Sequence, residues 1–521
     1  MIPAVREIQM EVSSAMLEID WKQFKSGTDI RGVATEGVPG QEVNLTGSAV
    51  RRMAAGYLLW LSNKTGKPAS ELTVAVGHDS RISADRIQKA VVDALLSAGV
   101  RVLVCGLAST PSMFMITVDW DCDGSIQITA SHHPYYRNGL KFFTKEGGLD
   151  GSDIDEILAY AAENKAPAYG KGVAEMVDYM SRYSEILRDK IKQGVNAEDY
   201  EHPLAGFHIV VDAGNGAGGF YATDVLAPLG ADISGSQFLE PDGMFPNHIP
   251  NPENAAAMDS VRLATIRAKA DLGVIFDTDV DRGGAVDAKG DELNRNRLVA
   301  VASAIALEGN EGGTIVTDSI TSSGLKEYIE DTLGGHHHRF KRGYRNVINE
   351  AIRLNNEGVN CPLAIETSGH AALRENYFLD DGAYLVTKII IKMAVLRREG
   401  KNLETLLEGL REPVEATELR LPITASDFRA CGEAVIAGLE QWAEKHGWAI
   451  APDNREGIRV SFGKENGDGW FLLRLSVHDP IMPLNIESDS EGGVRKMVEQ
   501  LHEYLLTCEG LDISPVAKFL A

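Results

Sequence analysis

Three times along this chain a short apolar strand runs into a polar loop and then into a helix. In the first stretch, strands at 72–77 and 101–105 alternate with helices at 84–98 and from Thr110 onward, and a strand at 126–128 stops at Thr129-Ala130-Ser131. The pattern restarts at 207–211, ahead of a glycine-rich turn, and again at Gly312-Gly313, ahead of a strand at 314–317. Parallel strands need long crossover connections, and helices between strands supply them, so each stretch reads as a mainly parallel mixed sheet layered with helices. After residue 414 the pattern changes to short strands flanking helices at 428–446 and 492–507, a small α+β unit. The fold class expected is α/β: three similar α/β domains and a smaller C-terminal α+β domain, divided at 1–196, 197–310, 311–414 and 415–521. A chain of 521 residues is too long for one core, in keeping with several domains.

Some segments carry more local expectations. Residues 27–32, GTDIRG, read as a glycine-bounded loop holding Asp29 and Arg31. Residues 151–193 read as one long helical region, and the N-terminal twenty residues as a first helix. His336-His337-His338 reads as an exposed loop, since no carboxylate cluster adjoins it in sequence. The proline- and asparagine-rich 240–254 reads as a structured connecting loop near a cleft, and the turn DAGNGAGG at 212–219 as structural, because no acidic ribose partner follows at the right distance.

In parallel sheets, ligands bind beyond the carboxyl ends of the strands. Ser131 sits at such an end, followed by His132, His133, Arg137 and Lys141, which makes it a candidate phosphoryl or acyl acceptor. The sequence Asp277-Thr278-Asp279-Val280-Asp281-Arg282 follows another strand, at 272–276. Alternation in extended chain would bring its three carboxylates together. Such a cluster repels itself unless a divalent cation neutralises it, and oxygen-only ligands suit Mg2+. The spaced glycine and final glutamate of an EF-hand are absent. A metal triad beside a serine favours phosphoryl over acyl transfer. No G-x-x-x-x-G-K-[ST] is present, so no nucleoside triphosphate donor is indicated, and Thr129-Ala130 before Ser131 does not fit G-x-S-x-G.

Charge and cysteine content limit the partners. Lys plus Arg is 51 against 75 Asp plus Glu, a formal charge of −24, which argues against nucleic acid or an anionic membrane surface. Five scattered cysteines without a C-x-x-C pair fit reduced thiols and a cytoplasmic protein. The acidic N-terminus lacks the basic start and apolar run of a signal peptide, and no apolar run is long enough to span a bilayer.

Taken in order, TASHHP at 129–134, DTDVDR at 277–282, ETSGH at 366–370 and RLSVHDP at 474–480 resemble the four active-site loops of the α-D-phosphohexomutases, the phosphoglucomutase/phosphomannomutase family. GTDIRG, GHDSR at 77–81, DAGNGAGG and PDGMFPNHIPNPE at 241–253 add to the resemblance, which covers nearly the whole chain. It implies four domains around a central cleft. It implies a phosphoserine at Ser131 and one Mg2+ per chain held by Asp277, Asp279, Asp281 and an oxygen of that phosphoserine. Arg31, Lys141 and Arg282 would neutralise the transferring group, with Lys141 or His132 assisting proton transfer. Glu366 and Ser368 would bind sugar hydroxyls, with His370 either a sugar contact or a buried support of the loop. Arg474, Ser476 and His478 would hold the phosphate that is not reacting, and Arg345 would be a cation on the sugar-binding side. The implied reaction interconverts hexose 1- and 6-phosphates through a hexose 1,6-bisphosphate, which also serves as activator, in a monomer or homodimer.

Two loops depart from the family's pattern. His133 stands where asparagine is usual, and Val477, His478 and Asp479 stand where glycine or asparagine, threonine and glutamate are usual. The altered clamp raises an alternative: a hexose 1,6-bisphosphate synthase that releases the bisphosphate. A family member without catalysis is a further alternative, but Ser131, the aspartates and Arg282 are all retained.

Overall fold

The computed structural model describes residues 19–476 and 479–521, so the first helix expected before residue 20, Val477 and the clamp residue His478 lie outside the described residues. Among those described, the strands form four sheets. In the first, Thr73–His78 lies between Arg101–Leu107 and Gly124–Ile128, all parallel, and Val173–Met176 extends it in parallel at one edge. Arg137–Thr144 and Asp29–Val33 extend it antiparallel at the other side. This corrects two expectations. Arg31 lies within a strand rather than a loop, paired opposite Gly139. The region read as one helix is two, Gly151–Ala162 and Tyr179–Val195, with the edge strand Val173–Met176 between them.

The second sheet pairs Leu272–Phe276 in parallel with Ile209–Asp212 and antiparallel with Gly283–Asp287. The third sets Thr314–Thr317 between His336–Arg339 and Leu363–Ile365, all parallel, with Ala371–Leu373 and Leu379–Asp380 turning back. The histidine run is therefore an edge strand and not an exposed loop. His337 Nε2 lies 2.7 Å from Thr317 Oγ1, and His338 Nε2 lies 2.8 Å from Glu350 Oε1. The fourth sheet is antiparallel, in the order Glu415–Pro422, Ile481–Ser488, Gly469–Leu473, Ile458–Phe462, Ala449–Ile450.

Packing ties these units together unequally. One apolar core runs from Tyr183, Leu187 and Ile191 of the helix Tyr179–Val195 into the second and third sheets and the helix Gly382–Arg398. The hydroxyl of Tyr183 bonds both oxygens of Asp381, at 2.7 Å each, and Asp381 caps that helix. The C-terminal unit keeps a core of its own around Leu421, Phe471, Leu484 and Leu501. It meets the third unit through polar groups: Arg339 with Asp453, Ser319 with Glu456, and Arg459 donating to the Ser319 carbonyl at 3.0 Å. The second and third units thus share an apolar core, while the C-terminal unit is joined to the third across a polar seam.

Candidate active site

Ser131 follows the central strand Gly124–Ile128 and takes φ +48°, a left-handed conformation that a non-glycine residue holds only when its surroundings enforce it. Arg81 supplies the enforcement. It is fully buried, and its guanidinium donates to the carbonyls of Ser131, His133 (2.7 Å), Pro134 (2.8 Å) and Arg137 (2.9 Å), with Asp79 3.3 Å from its Nε. The amide of Ser131 donates to Thr129 Oγ1 at 2.8 Å. One buried cation thus folds the loop that presents the Ser131 hydroxyl. The His78–Arg81 motif was visible at a strand end in the sequence, but its role as a loop clamp was not.

The three aspartates converge differently from the extended alternation expected. Residues 277–282 form a turn between Leu272–Phe276 and Gly283–Asp287, with Val280 at φ +70°. That conformation is strained for a β-branched side chain. The turn is supported from two sides. Thr110, at the start of a helix in the first unit, donates its amide to the Asp279 carbonyl at 2.8 Å. The turn at 212–219 donates Ala217 N–H to the Thr278 carbonyl at 2.8 Å, and a Cβ on Gly216 would come within 2.6 Å of that same oxygen. The glycine-rich turn is a cradle for the acidic turn.

Carboxylate oxygens of Asp277, Asp279 and Asp281 lie within 4.8 Å of one another, and all three residues are buried. Ser131 Oγ donates to Asp277 Oδ2 at 3.0 Å and lies 3.2 Å from His132 Nδ1. Lys141 bridges Asp279, at 2.9 Å, and Asp281. Burial opposes the Lys141 charge, but Asp279, Asp281 and Asp29 outweigh it and hold its pKa well above that of an ordinary lysine. Burial and the two neighbouring carboxylates push Asp277 well above the usual carboxylate range. One ammonium does not satisfy three buried carboxylates. Asp279 Oδ1 and Asp281 Oδ1 are buried without a hydrogen-bond partner. An all-oxygen set with unsatisfied lone pairs fits a hard divalent cation. Burial, followed by the charges of Arg282 and His133, depresses the His132 pKa well below its usual value, leaving a neutral imidazole beside the serine hydroxyl.

A cavity of about 570 Å³ brings the motifs together. Arg31, Ser131, His132 and Lys141 reach it from the first unit and Arg282 from the second. Arg345, Glu366, Ser368 and His370 reach it from the third, and Arg474 and Ser476 from the fourth. Arg31 pairs with Asp29 at 2.6 Å and donates to the Thr129 carbonyl. His370 is buried, its Nδ1 2.7 Å from Asp380 and its Nε2 accepting from Arg282 Nε at 2.9 Å. It supports the arginine while lining the cavity. Ser368 Oγ lies 3.3 Å from Glu366 Oε2. Arg345 lines the cavity as well, 3.1 Å from Asp150.

Arg342, Tyr344 and Glu253 are among the lining residues not singled out in the sequence. Arg342, three residues before Arg345, reaches Glu253 at 2.9 Å. Tyr344 stacks on His370, ring centroids 5.2 Å apart. Glu253 ends the polar loop at 240–254. The 342–345 segment drew notice only for its last arginine, because spacing along a loop does not say how many of its side chains line a cavity.

Comparison with known proteins agrees with this geometry. Residues 22–168, 183–290 and 294–414 match the family models described as phosphoglucomutase/phosphomannomutase, alpha/beta/alpha domains I, II and III. A phosphomannomutase/phosphoglucomutase of Pseudomonas aeruginosa is 28% identical over 444 residues, 84% of this chain and 89% of that protein. A phosphoglucosamine mutase of Cupriavidus metallidurans is 31% identical over 483 residues, 90% of this chain and 97% of that protein. The crystal structure of a phosphoglucomutase/phosphomannomutase family protein from Burkholderia thailandensis superposes with a TM-score of 0.75 at 25% identity, covering 94% of this chain and 98% of that one. With three family models matched in order and a relative 31% identical over 90% of this sequence, the chain belongs to the phosphoglucomutase/phosphomannomutase family of phosphotransferases, the α-D-phosphohexomutases.

Proposed function

We propose that this protein interconverts hexose 1-phosphate and hexose 6-phosphate through a phosphoserine at Ser131 and a hexose 1,6-bisphosphate intermediate. The observation that carries the reading is the position of Ser131 Oγ, 3.0 Å from Asp277, in the same cavity as Glu366, Ser368 and Arg474. Relatives named phosphomannomutase/phosphoglucomutase support it. Asp277, Asp279, Asp281 and the phosphoserine would hold Mg2+, which when bound would neutralise charge on the phosphoryl oxygens.

In the first transfer the bond between phosphorus and Ser131 Oγ breaks, and a bond forms from phosphorus to the free sugar hydroxyl. The hydroxyl proton passes to neutral His132, which stands 3.2 Å from Oγ and returns that proton to the departing serine oxygen. Arg31, Lys141 and Arg282 offset the charge in flight. Glu366 and Ser368 orient the sugar, and Arg474 and Ser476 grip the remote phosphate. The intermediate then turns end for end and returns its other phosphate to Ser131. An added hexose 1,6-bisphosphate recharges an empty serine and so activates.

Intact-mass analysis of freshly prepared protein should show one phosphate, located at Ser131. Phosphorus NMR with glucose 1-phosphate should show equilibration with glucose 6-phosphate, and a Ser131→Ala variant with undiminished turnover would refute the scheme. The synthase reading keeps one observation in its favour, Val477 in the clamp sequence, which offers no side-chain donor to a phosphate. Stoichiometric accumulation of glucose 1,6-bisphosphate in the same spectra would support it.

A further inference from the structure

Glu253 closes the polar loop at 240–254, and nothing in the scheme above uses it. Its backbone is rigidly mounted. Its amide donates to Asn251 Oδ1 at 2.9 Å, and the next residue, Asn254, caps the helix Ala255–Ala268. Its two oxygens serve two different units. Oε2 is 3.2 Å from Arg282 Nη1, in the acidic turn, and Oε1 is 2.9 Å from Arg342 Nη2, in the third unit. Burial opposes ionisation here, but Arg342 and Arg282 outweigh it and hold the carboxyl down at about 2.

The place of this bridge is informative. A second cavity of about 610 Å³ adjoins the first, between the C-terminal unit and the second and third units. The two share His132, Glu253, Arg342, Arg474, Ser476 and Asp479. The Glu253–Arg342 pair therefore stands in the wall common to both chambers. The Glu253 side chain is 32% exposed, so a solute in the cleft reaches it. A guanidinium binds phosphate with the same forked geometry it uses for carboxylate. A sugar phosphate in the cleft therefore competes with Glu253 for both arginines.

We propose that Glu253 is a positioning residue, a place-holder anion that binds Arg282 and Arg342 between phosphate visits and takes Arg342 back while the bisphosphate turns through the two chambers. The inference rests on the mutase reading. A phosphate bound to Arg342 leaves readily because a carboxylate of this chain is waiting to replace it. Removing that competitor strengthens the hold on phosphate and slows the turn, with less effect on the transfer itself.

The test uses full-length Glu253→Gln and Glu253→Asp with glucose 1-phosphate and glucose 1,6-bisphosphate. For Glu253→Gln, KM for glucose 1-phosphate should fall about five-fold and kcat about ten-fold, as expected when a bound state is stabilised without its transition state. Single-turnover discharge of the phosphoserine by glucose 1-phosphate should fall no more than about three-fold, a split that a purely structural role would not produce. Glu253→Asp keeps the charge with a shorter reach and should shift in the same direction by less; it also serves if the glutamine variant does not fold. A raised KM, unchanged constants, discharge falling in step with kcat, or an aspartate variant further from wild type than the glutamine variant would each overturn the inference. Wild-type protein without phosphate on Ser131 and without turnover would instead overturn the mutase reading. Normal wild-type turnover with an unaltered glutamine variant overturns only the role of Glu253.

Discussion

Arg81→Lys isolates how the Ser131 loop is held. The arginine serves five acceptors, the carbonyls of Ser131, His133, Pro134 and Arg137 and the carboxylate of Asp79. An ammonium has three donors on one atom, so at least two acceptors lose their partner in a site without solvent. Each buried acceptor left unmet costs about 1–3 kcal/mol, which puts the loss near 4 kcal/mol. The loop can recover part of that by relaxing Ser131 out of its left-handed conformation, which moves the hydroxyl away from Asp277. A displaced nucleophile is expected to lower kcat by about a hundred-fold or more. Retained charge means that simple electrostatics is not what the variant removes. The assays are phosphoserine occupancy by mass spectrometry, kcat by coupled turnover, and metal affinity by calorimetry. Metal affinity measured on protein without phosphate on Ser131 should stay within about three-fold, because Arg81 bonds none of the three aspartates and Thr110 and Ala217 still hold the acidic turn. Normal phosphoserine occupancy and turnover in Arg81→Lys would refute the clamp.

Other outcomes test the remaining parts. Asp279→Asn should weaken Mg2+ binding about ten-fold or more, and chelation should abolish wild-type turnover until Mg2+ is restored; turnover that persists after exhaustive chelation would refute the acidic site. Burial raises the Asp381 carboxyl to about 7, against the opposing hydrogen bonds of Tyr183, Tyr384 and Asn376. The folded protein then retains a proton that the unfolded chain has lost, so this group's contribution to stability falls as pH rises from about 4 to 7 and levels off above that. Asp381→Asn should flatten that slope in thermal melts, and an unchanged slope would refute the assignment. Arg459 stacks on Trp470, 3.4 Å from the ring centroid, while bonding the Ser319 carbonyl across the polar seam. Arg459→Ala should loosen the C-terminal unit, raising KM about ten-fold and enlarging the radius of gyration in solution scattering; unchanged values of both would refute a closing role.

Strands whose two faces are both buried were legible from their apolar runs, and 272–276, 314–317 and 363–365 carry the expected bounds, as does 458–462, where Ser461 is exposed. Edge and polar strands were not. Val173–Met176 is exposed along its length, and His336–Arg339 is a strand because it pairs with Thr314–Thr317, not because histidines prefer strands. Ile481–Ser488 carries a proline and became visible only through its antiparallel partners.

Taken alone, the sequence determined the alternation of strands and helices, and with it the ends of strands where Ser131 and the aspartates had to lie. Local residue order is sufficient for that, because strand, turn and helix are short-range choices. Tertiary structure decided which side chains face one another across unit boundaries. It set both Arg342 and Arg345 on the cavity, closed four carbonyls around Arg81, and set Glu253 between two arginines from different units. Those contacts join residues about 30 to 90 positions apart, and only the packing of whole domains brings such distant groups within hydrogen-bond range.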